Sequence, residues 1–298
     1  MEYIYNMVAE SIDEWNPQTL WIADAVISVS VGRYGICQVD YHGKQPVSHN
    51  AKMMTGSSVA PVISLEINGE ILDLPRIQFT HWTYTAAGTL KSGSHVEKFG
   101  FVSGKSFFFG VRVNNSFQPI QLCLRIRKDS FYQRGHGHSL WESLPSDGLL
   151  MKNTTRQNLA EWAQQKGSYL VPPREHHFLY NIPWLLDANN LDQLPPVSEE
   201  AKKSPKMMFD SETFLNICGT QKNDKVEDDT HVILSIKIPA CGQDWSNWYC
   251  YAVSFGESEA EALCEGQKIL QNHEQISREQ AARYAVCNRK APRLINAY

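Results

Sequence analysis

Several side chains in this sequence could do chemistry, and their spacing decides how far each reading goes. Cleaving a glycosidic bond takes two carboxylates about 5–10 Å apart. Glu142, Asp147, Glu161 and Glu175 are available, but no spacing singles out a pair. His136-Gly137-His138 and His176-His177 could assemble a metal site, because His-x-His on a strand puts both rings on one face. A Gly-containing loop from Gln133 to Ser139 would instead leave them as ordinary polar side chains. Trp245, Trp248 and Tyr249, with Trp141 and Trp82, could stack on sugar faces, since aromatic rings with a polar atom suit ligands of mixed polarity. Packing between two sheets would use the same rings. Gly-x-Ser-x-Gly, the phosphate-cradling Walker loop and the dinucleotide fingerprint are all missing from the sequence. No catalytic pair, metal or cofactor is therefore expected on this chain.

Composition narrows the partners. The 298 residues carry a formal charge of −4, with 42% hydrophobic residues. Such a balance gives no general attraction to nucleic acid or to an anionic membrane. No apolar run approaches the ~20 residues that span a bilayer. The N-terminal run from Met1 to Glu10 lacks the basic region and apolar core of a signal peptide. Seven Cys, with no Cys-x-x-Cys, fit reduced thiols and a cytoplasmic protein.

These residues need elements to hold them, and most of the chain reads as strand. A short helix or arm is expected over Met1–Trp15, closed by Asn16-Pro17. In Trp21–Val31 the second half alternates, with Ile27, Val29 and Val31 on one face. Tyr34–Tyr41 is another strand, and 42–56 reads as a loop. Asn68-Gly69 between two apolar runs signals a hairpin over Val62–Leu74. That hairpin pairs Ile67 with Glu70, Leu65 with Leu72 and Ile63 with Leu74. Strands follow at Arg76–Thr85, Val96–Val102 and Ser106–Val113, with a turn at Asn114-Asn115. Gln121–Lys128 puts Leu122, Leu124 and Ile126 inward. The middle is less regular, with a helix at Asn158–Gln165 and a proline-punctuated region after it. Thr220–Thr230 reads as an exposed loop, and His231–Ile238 and Trp248–Phe255 as the last strands. Closely spaced strands with turn signals between them predict a mainly β fold, a large antiparallel two-sheet sandwich.

Gly256 then breaks the strand pattern. Ser258 and Glu261 form a capping box, and Glu257, Glu259 and Glu261 sit at the positive end of a new helix. That helix is expected to run to about Asn272. A second helix follows, opened by a capping box of Ser277 and Gln280. A strand–Gly–Ser–helix turn of this kind also occurs in double-stranded-RNA-binding domains, but the three glutamates would repel phosphates.

The run Tyr251-Ala-Val-Ser-Phe-Gly-Glu-Ser-Glu-Ala-Glu-Ala-Leu263, with the helices and Lys290-Ala-Pro-Arg-Leu294 after it, resembles a known junction. It is similar to the end of the N-terminal β-sandwich ("supersandwich") domain of the six-hairpin, (α/α)-barrel glycoside hydrolases of glycogen-debranching and glucoamylase type. The resemblance implies a sandwich over residues 1–256 and a helical linker over 257–298 leading toward a catalytic barrel. In that family both catalytic carboxylates lie in the barrel, so none carries over to a position here. The implied role is a non-catalytic module that packs on a barrel, supplied in cis or as a separate chain. It would help shape a cleft for an oligo- or polysaccharide, with Trp245, Trp248, Tyr249 and Trp141 as the sugar-facing residues. The module reading also expects an exposed apolar patch near 259–298. The alternative is a stand-alone sugar-active enzyme or sugar-binding module on the concave sandwich face, using His81, His136, His138 and Glu142.

Overall fold

The computed structural model describes residues 20–24, 26–41, 52–79, 82–128, 138–158 and 208–290. Among these are eighteen strands and one helix. The first half of the strands comprises β1 (Leu20–Ala23), β2 (Ile27–Gly32), β3 (Gly35–Tyr41), β4 (Lys52–Thr55), β5 (Ile63–Ile67), β6 (Glu70–Ile71), β7 (Arg76–Phe79), β8 (Thr83–Thr89) and β9 (His95–Ser103). The second half comprises β10 (Ser106–Ser116), β11 (Ile120–Arg127), β12 (His138–Leu144), β13 (Leu149–Asn158), β14 (Met208–Gly219), β15 (Asp224–Glu227), β16 (His231–Ile238), β17 (Gly242–Trp245) and β18 (Tyr249–Gly256). Helix α1 spans Glu259–Lys290. The strands form two antiparallel nine-stranded sheets. Sheet A runs β1-β2-β3-β5-β11-β16-β15, with β4 on β3 and β6 on β5. Sheet B runs β12-β13-β14-β18-β10-β9-β8-β7, with β17 on β10.

Alternation puts one side of each sheet into a shared core. Ile27, Val29 and Val31 on β2 and Leu122, Leu124 and Ile126 on β11 meet Phe107, Phe109, Val111, Tyr251, Val253 and Phe255 from sheet B. The Tyr41 and Phe255 rings stack across this core with centroids 4.8 Å apart. The expected hairpin is present, with Ile67 paired to Glu70. Its turn residues Asn68 and Gly69 take positive φ of 50° and 84°, as a primed two-residue turn requires. The pairing stops sooner than expected. Leu72 N donates to Leu65 O, but Leu74 N turns to the Arg33 carbonyl. Ile63 pairs instead with Ile36 and Ile126.

Five expectations need correction. The single strand expected at Arg76–Thr85 is divided between β7 and β8, which pair antiparallel with Phe79 opposite Tyr84. Part of the loop expected at 42–56 is strand β4, which adds to the edge of β3. No turn forms at Asn114-Asn115; β10 runs on to Ser116, and its register shifts between Asn114 and Ser116 where β17 pairs with it. Within the loop expected at Thr220–Thr230, β15 is a fully exposed edge strand whose Asp-Lys-Val-Glu sequence suits a protected edge. Finally, α1 is one helix through 277, where a second was expected to start. No Pro or Gly interrupts 267–276, so nothing stops propagation there. The helix expected at Asn158–Gln165 begins on Asn158, which is the last residue of β13, and its remainder, the helix expected at Met1–Trp15 and the proline-rich segment lie outside the described residues, as does everything after 290.

The start of α1 matches the sequence signal. Ser258 Oγ accepts from Glu261 N at 3.2 Å, and the Glu261 carboxylate accepts from Glu257 N at 2.7 Å. Ala262, Gly266, Ile269, Leu270, Ser277 and Gln280 recur at helical spacing and are buried against the outer face of sheet B. Under them lie Phe99, Phe101, Phe108, Cys250 and Ala252. Ser277 and Gln280 are thus inward-facing; the Gln280 side-chain amide donates to the Val102 carbonyl at 3.1 Å. The fold has three layers: sheet A, sheet B and α1.

Candidate functional site

Two of the candidate aromatic residues, Trp245 and Trp248, come together where β17 joins sheet B. Register sets the geometry: Trp245 pairs with Asn114 on β10, and Ser116 with Gly242. Ser246 fastens the following turn to Val113, since its amide donates to the Val113 carbonyl at 2.8 Å and its Oγ accepts from Val113 N at 3.1 Å. The turn brings Trp248 back over β10. A Cβ on Gly110 would lie 3.1 Å from Cε3 of the Trp248 ring, so the missing side chain makes room for the indole. Arg112, two residues along the same outer face, fills the gap between the two tryptophans. Its guanidinium carbon is 4.4 Å from the Trp245 ring centroid and 4.7 Å from that of Trp248.

Glu97 on the neighbouring strand β9 holds the arginine in place. Arg112 Nε donates to Glu97 Oε2 at 2.7 Å, and the two residues are register partners. Both side chains are largely out of water, so this pair is screened less than a surface pair. The result is a rigid ledge in which two partly buried indoles share one cation with a buried counter-charge. Cation–π contact contributes more where water is excluded. Both indoles keep exposed surface, which can stack on a flat, mostly apolar ligand face.

The structure does not gather all the sequence candidates here. Tyr249 turns the other way, into the inter-sheet core, where it is 6% exposed. Burial raises its phenol pKa, with a smaller push from the nearby Cys241. Trp82 packs at the margin of the same core. Trp141 sits on β12 in register with Asn153, at the far edge of sheet B from β17; its side chain is outside the described set. Glu142 and Asp147 are exposed and far apart in role, one on β12 and the other in the turn before β13. His138 starts β12. His81, His136, Glu161, Glu175, His176 and His177 lie outside the described residues. Among the described residues no group of three His, Cys, Asp or Glu could hold a metal.

Arg112 and Glu97 were missing from the sequence reading. Both lie at polar positions of strands that otherwise alternate, which is the ordinary pattern of a wet face. Only the register that places them under Trp245 and Trp248 reveals their part. A narrow crevice nearby, lined by Gly219, Asn223, Tyr249 and Tyr251 among others, is filled by its own contacts. There the Tyr251 hydroxyl donates to Asn223 Oδ1 at 3.3 Å, and the Asn223 amide to the Gln221 carbonyl at 2.9 Å.

The outward face of α1 is polar over 259–280. Gln267, Lys268, Gln271, Asn272, Glu274, Gln275, Arg278 and Glu279 are exposed. The exposed side chains there that are not polar are Ala260 and Cys264, with Ala282 beyond, so the apolar patch expected on this helix is not found among them. No described helix is long and apolar enough to cross a membrane.

No protein-family model matches the chain, and no curated protein does. Solved structures similar to it include a kojibiose phosphorylase from the human microbiome, at 10% identity and a TM-score of 0.34, covering 72% of this chain and 25% of that one. A bacterial glucoamylase in complex with acarbose is similar at 12% identity and a TM-score of 0.37, covering 88% of this chain and 37% of that one. A galactose mutarotase related enzyme from Lactobacillus acidophilus is similar at 7% identity and a TM-score of 0.32, covering 82% of this chain and 99% of that one. The chain thus spans 25% and 37% of the phosphorylase and glucoamylase chains.

Proposed function

We propose that this chain is a non-catalytic β-sandwich module of a glycoside hydrolase, which packs on an (α/α) catalytic barrel and helps shape a carbohydrate-binding cleft. In this reading residues 1–256 are the sandwich and 257–298 the helical segment beyond it. The observation that carries it is the Trp245–Arg112–Trp248 ledge. Two indoles are held at fixed positions on an outer sheet face, each with surface left for a ligand. Rigid aromatic surface of this kind binds the apolar faces of sugar rings with little loss of side-chain freedom. Contact with a barrel then falls to surfaces other than the described outer face of α1, which is polar.

The test is a titration of the chain with neutral malto-oligosaccharides, followed by tryptophan fluorescence and calorimetry. Binding is expected, and Trp245→Ala should weaken it about tenfold, the loss of one stacking contact. Affinity unchanged from the native chain in both Trp245→Ala and Trp248→Ala, or no binding at all, would remove the ledge from the proposal. Hydrolysis of glucosides by this chain alone would overturn the non-catalytic role.

A further inference from the structure

Lys98 stands next to Glu97 on β9 but points to the other face of sheet B, into the inter-sheet core. It is 2% exposed. Its Nζ lies 5.5 Å from the Tyr84 ring centroid and 5.1 Å from that of Phe109. No carboxylate among the described residues forms an ion pair with it. The titratable groups around it are Tyr84 on β8, whose ring face it meets, and the Cys37 thiol on β3. Strand β10 contributes Phe109 and the register partner Val111, and β2 contributes Val29 and Val31 to the same core. The Tyr84 hydroxyl is buried with no hydrogen-bond partner. Two ring faces attract an ammonium but replace only part of its lost hydration.

We infer that Lys98 is a proton-linked device on the packing of the two sheets. The amine is neutral in the tight sandwich, and taking up a proton loosens the hold of β8, β9 and β10 on the facing sheet. Burial pushes its pKa down to about 7, with a smaller opposing pull from Cys37. In an unfolded chain a lysine keeps its proton up to about pH 10.4. Above pH 7 the unfolded chain therefore binds one more proton than the folded one, and stability rises with pH. Below pH 7 both forms are charged and the penalty is complete. Cys37 works against this at higher pH. Burial raises its thiol to about 11 from 9.0, so between those values the folded chain keeps a proton that the unfolded chain loses. Burial raises Cys123, Cys218 and Cys250 as well, so the four thiols together offset Lys98 before pH 9 is reached, and the window in which Lys98 dominates is about pH 7 to 8.

The experiment follows the Lys98 side-chain carbon next to the amine by NMR in the native chain labelled at lysine. A titration midpoint near 7 supports the device; a midpoint near 10 overturns it. Urea unfolding of the native chain at pH 7.0, 7.5 and 8.0 should show the folding equilibrium constant rising about fourfold across that range. Lys98→Met should abolish that rise and be the more stable form at pH 7. An equal slope in both proteins would overturn the inference. The NMR midpoint decides the matter alone if the variant does not fold.

Discussion

The outer faces of the two sheets are built on the same alternation and meet different fates. On sheet A the outward positions are mostly polar, although Ser30, Asp40, Cys123 and Ser235 among them are buried. Arg125 on β11 pairs with Glu66 on β5 at 3.0 Å, and the Gln38 amide reaches both oxygens of Asp40 at 2.9 and 2.7 Å. On sheet B the corresponding positions over β9, β10 and β18 are Phe99, Phe101, Phe108, Cys250 and Ala252, and α1 covers them. An antiparallel sheet can leave one face in water only if that face is polar. Sheet B therefore needs a third layer, and it acquires one. The strip that α1 leaves partly open, at Trp245 and Trp248, is where an apolar outer face still meets solvent.

Removing the centre of the third layer should have the largest effect. The Phe108 ring lies 4.8 Å from Phe101, 6.3 Å from Phe99 and 5.2 Å from the His273 ring of α1. Phe108→Ala should cost about 3–5 kcal/mol, as large-to-small changes in well-packed cores do. Urea unfolding measures it. A loss no greater than that from changing a sheet A surface residue would mean that the aromatic face does not depend on its cover.

Prying the layer apart should cost less than emptying it. At Gly266 α1 lies close against sheet B. A Cβ there would lie 2.6 Å from Asn216 Nδ2, 2.8 Å from Ser254 Oγ and 3.1 Å from Cys218 Sγ. Gly266→Leu should destabilise by about 1–3 kcal/mol, the usual range for overpacking. It should also make α1 the first site of cleavage in limited proteolysis, while the sandwich resists. Intact α1 under conditions that cleave loops would show that the helix can shift along the sheet without letting go.

The contrast between the faces was half legible in the sequence. The inter-sheet core could be read, because Ile27, Val29, Val31, Leu122, Leu124 and Ile126 repeat with period two and nothing competes with that signal. The cap at Ser258 and Glu261 could be read for a similar reason, being local. The length of α1 could not. Ser277 and Gln280 look like a new cap in one dimension, and only the position of the Val102 carbonyl shows that Gln280 serves the sheet. Strands β12, β13 and β14 were missed because Lys152, Asn153, Thr154, Thr155 and Arg156 break the apolar alternation where β13 crosses the sheet. Their stability comes from neighbours, with β14 pairing along the whole of β13 and then with β18. Lys98 was hidden in the opposite sense. A lysine between Glu97 and Phe99 reads as solvent-facing until the register turns it inward.

The smallest effect should come from a partly exposed ion pair on the outer face of sheet A. Glu66 and Arg125 are diagonal neighbours across β5 and β11, with side chains 17% and 28% exposed. Glu66→Gln keeps the shape and removes the charge. Water still reaches both groups, so the pair gains little over hydration, and the loss should stay below about 1 kcal/mol. Salt separates this from the other two variants. Raising ionic strength should shrink the difference between Glu66→Gln and the native chain, because partly exposed charges are screened. It should leave the costs of Phe108→Ala and Gly266→Leu unchanged, since those losses are packing. A Glu66→Gln loss of several kcal/mol, insensitive to salt, would mean that this pair is shielded from water as fully as its buried neighbours Asp40 and Ser235, and the difference in cost between the two outer faces would disappear.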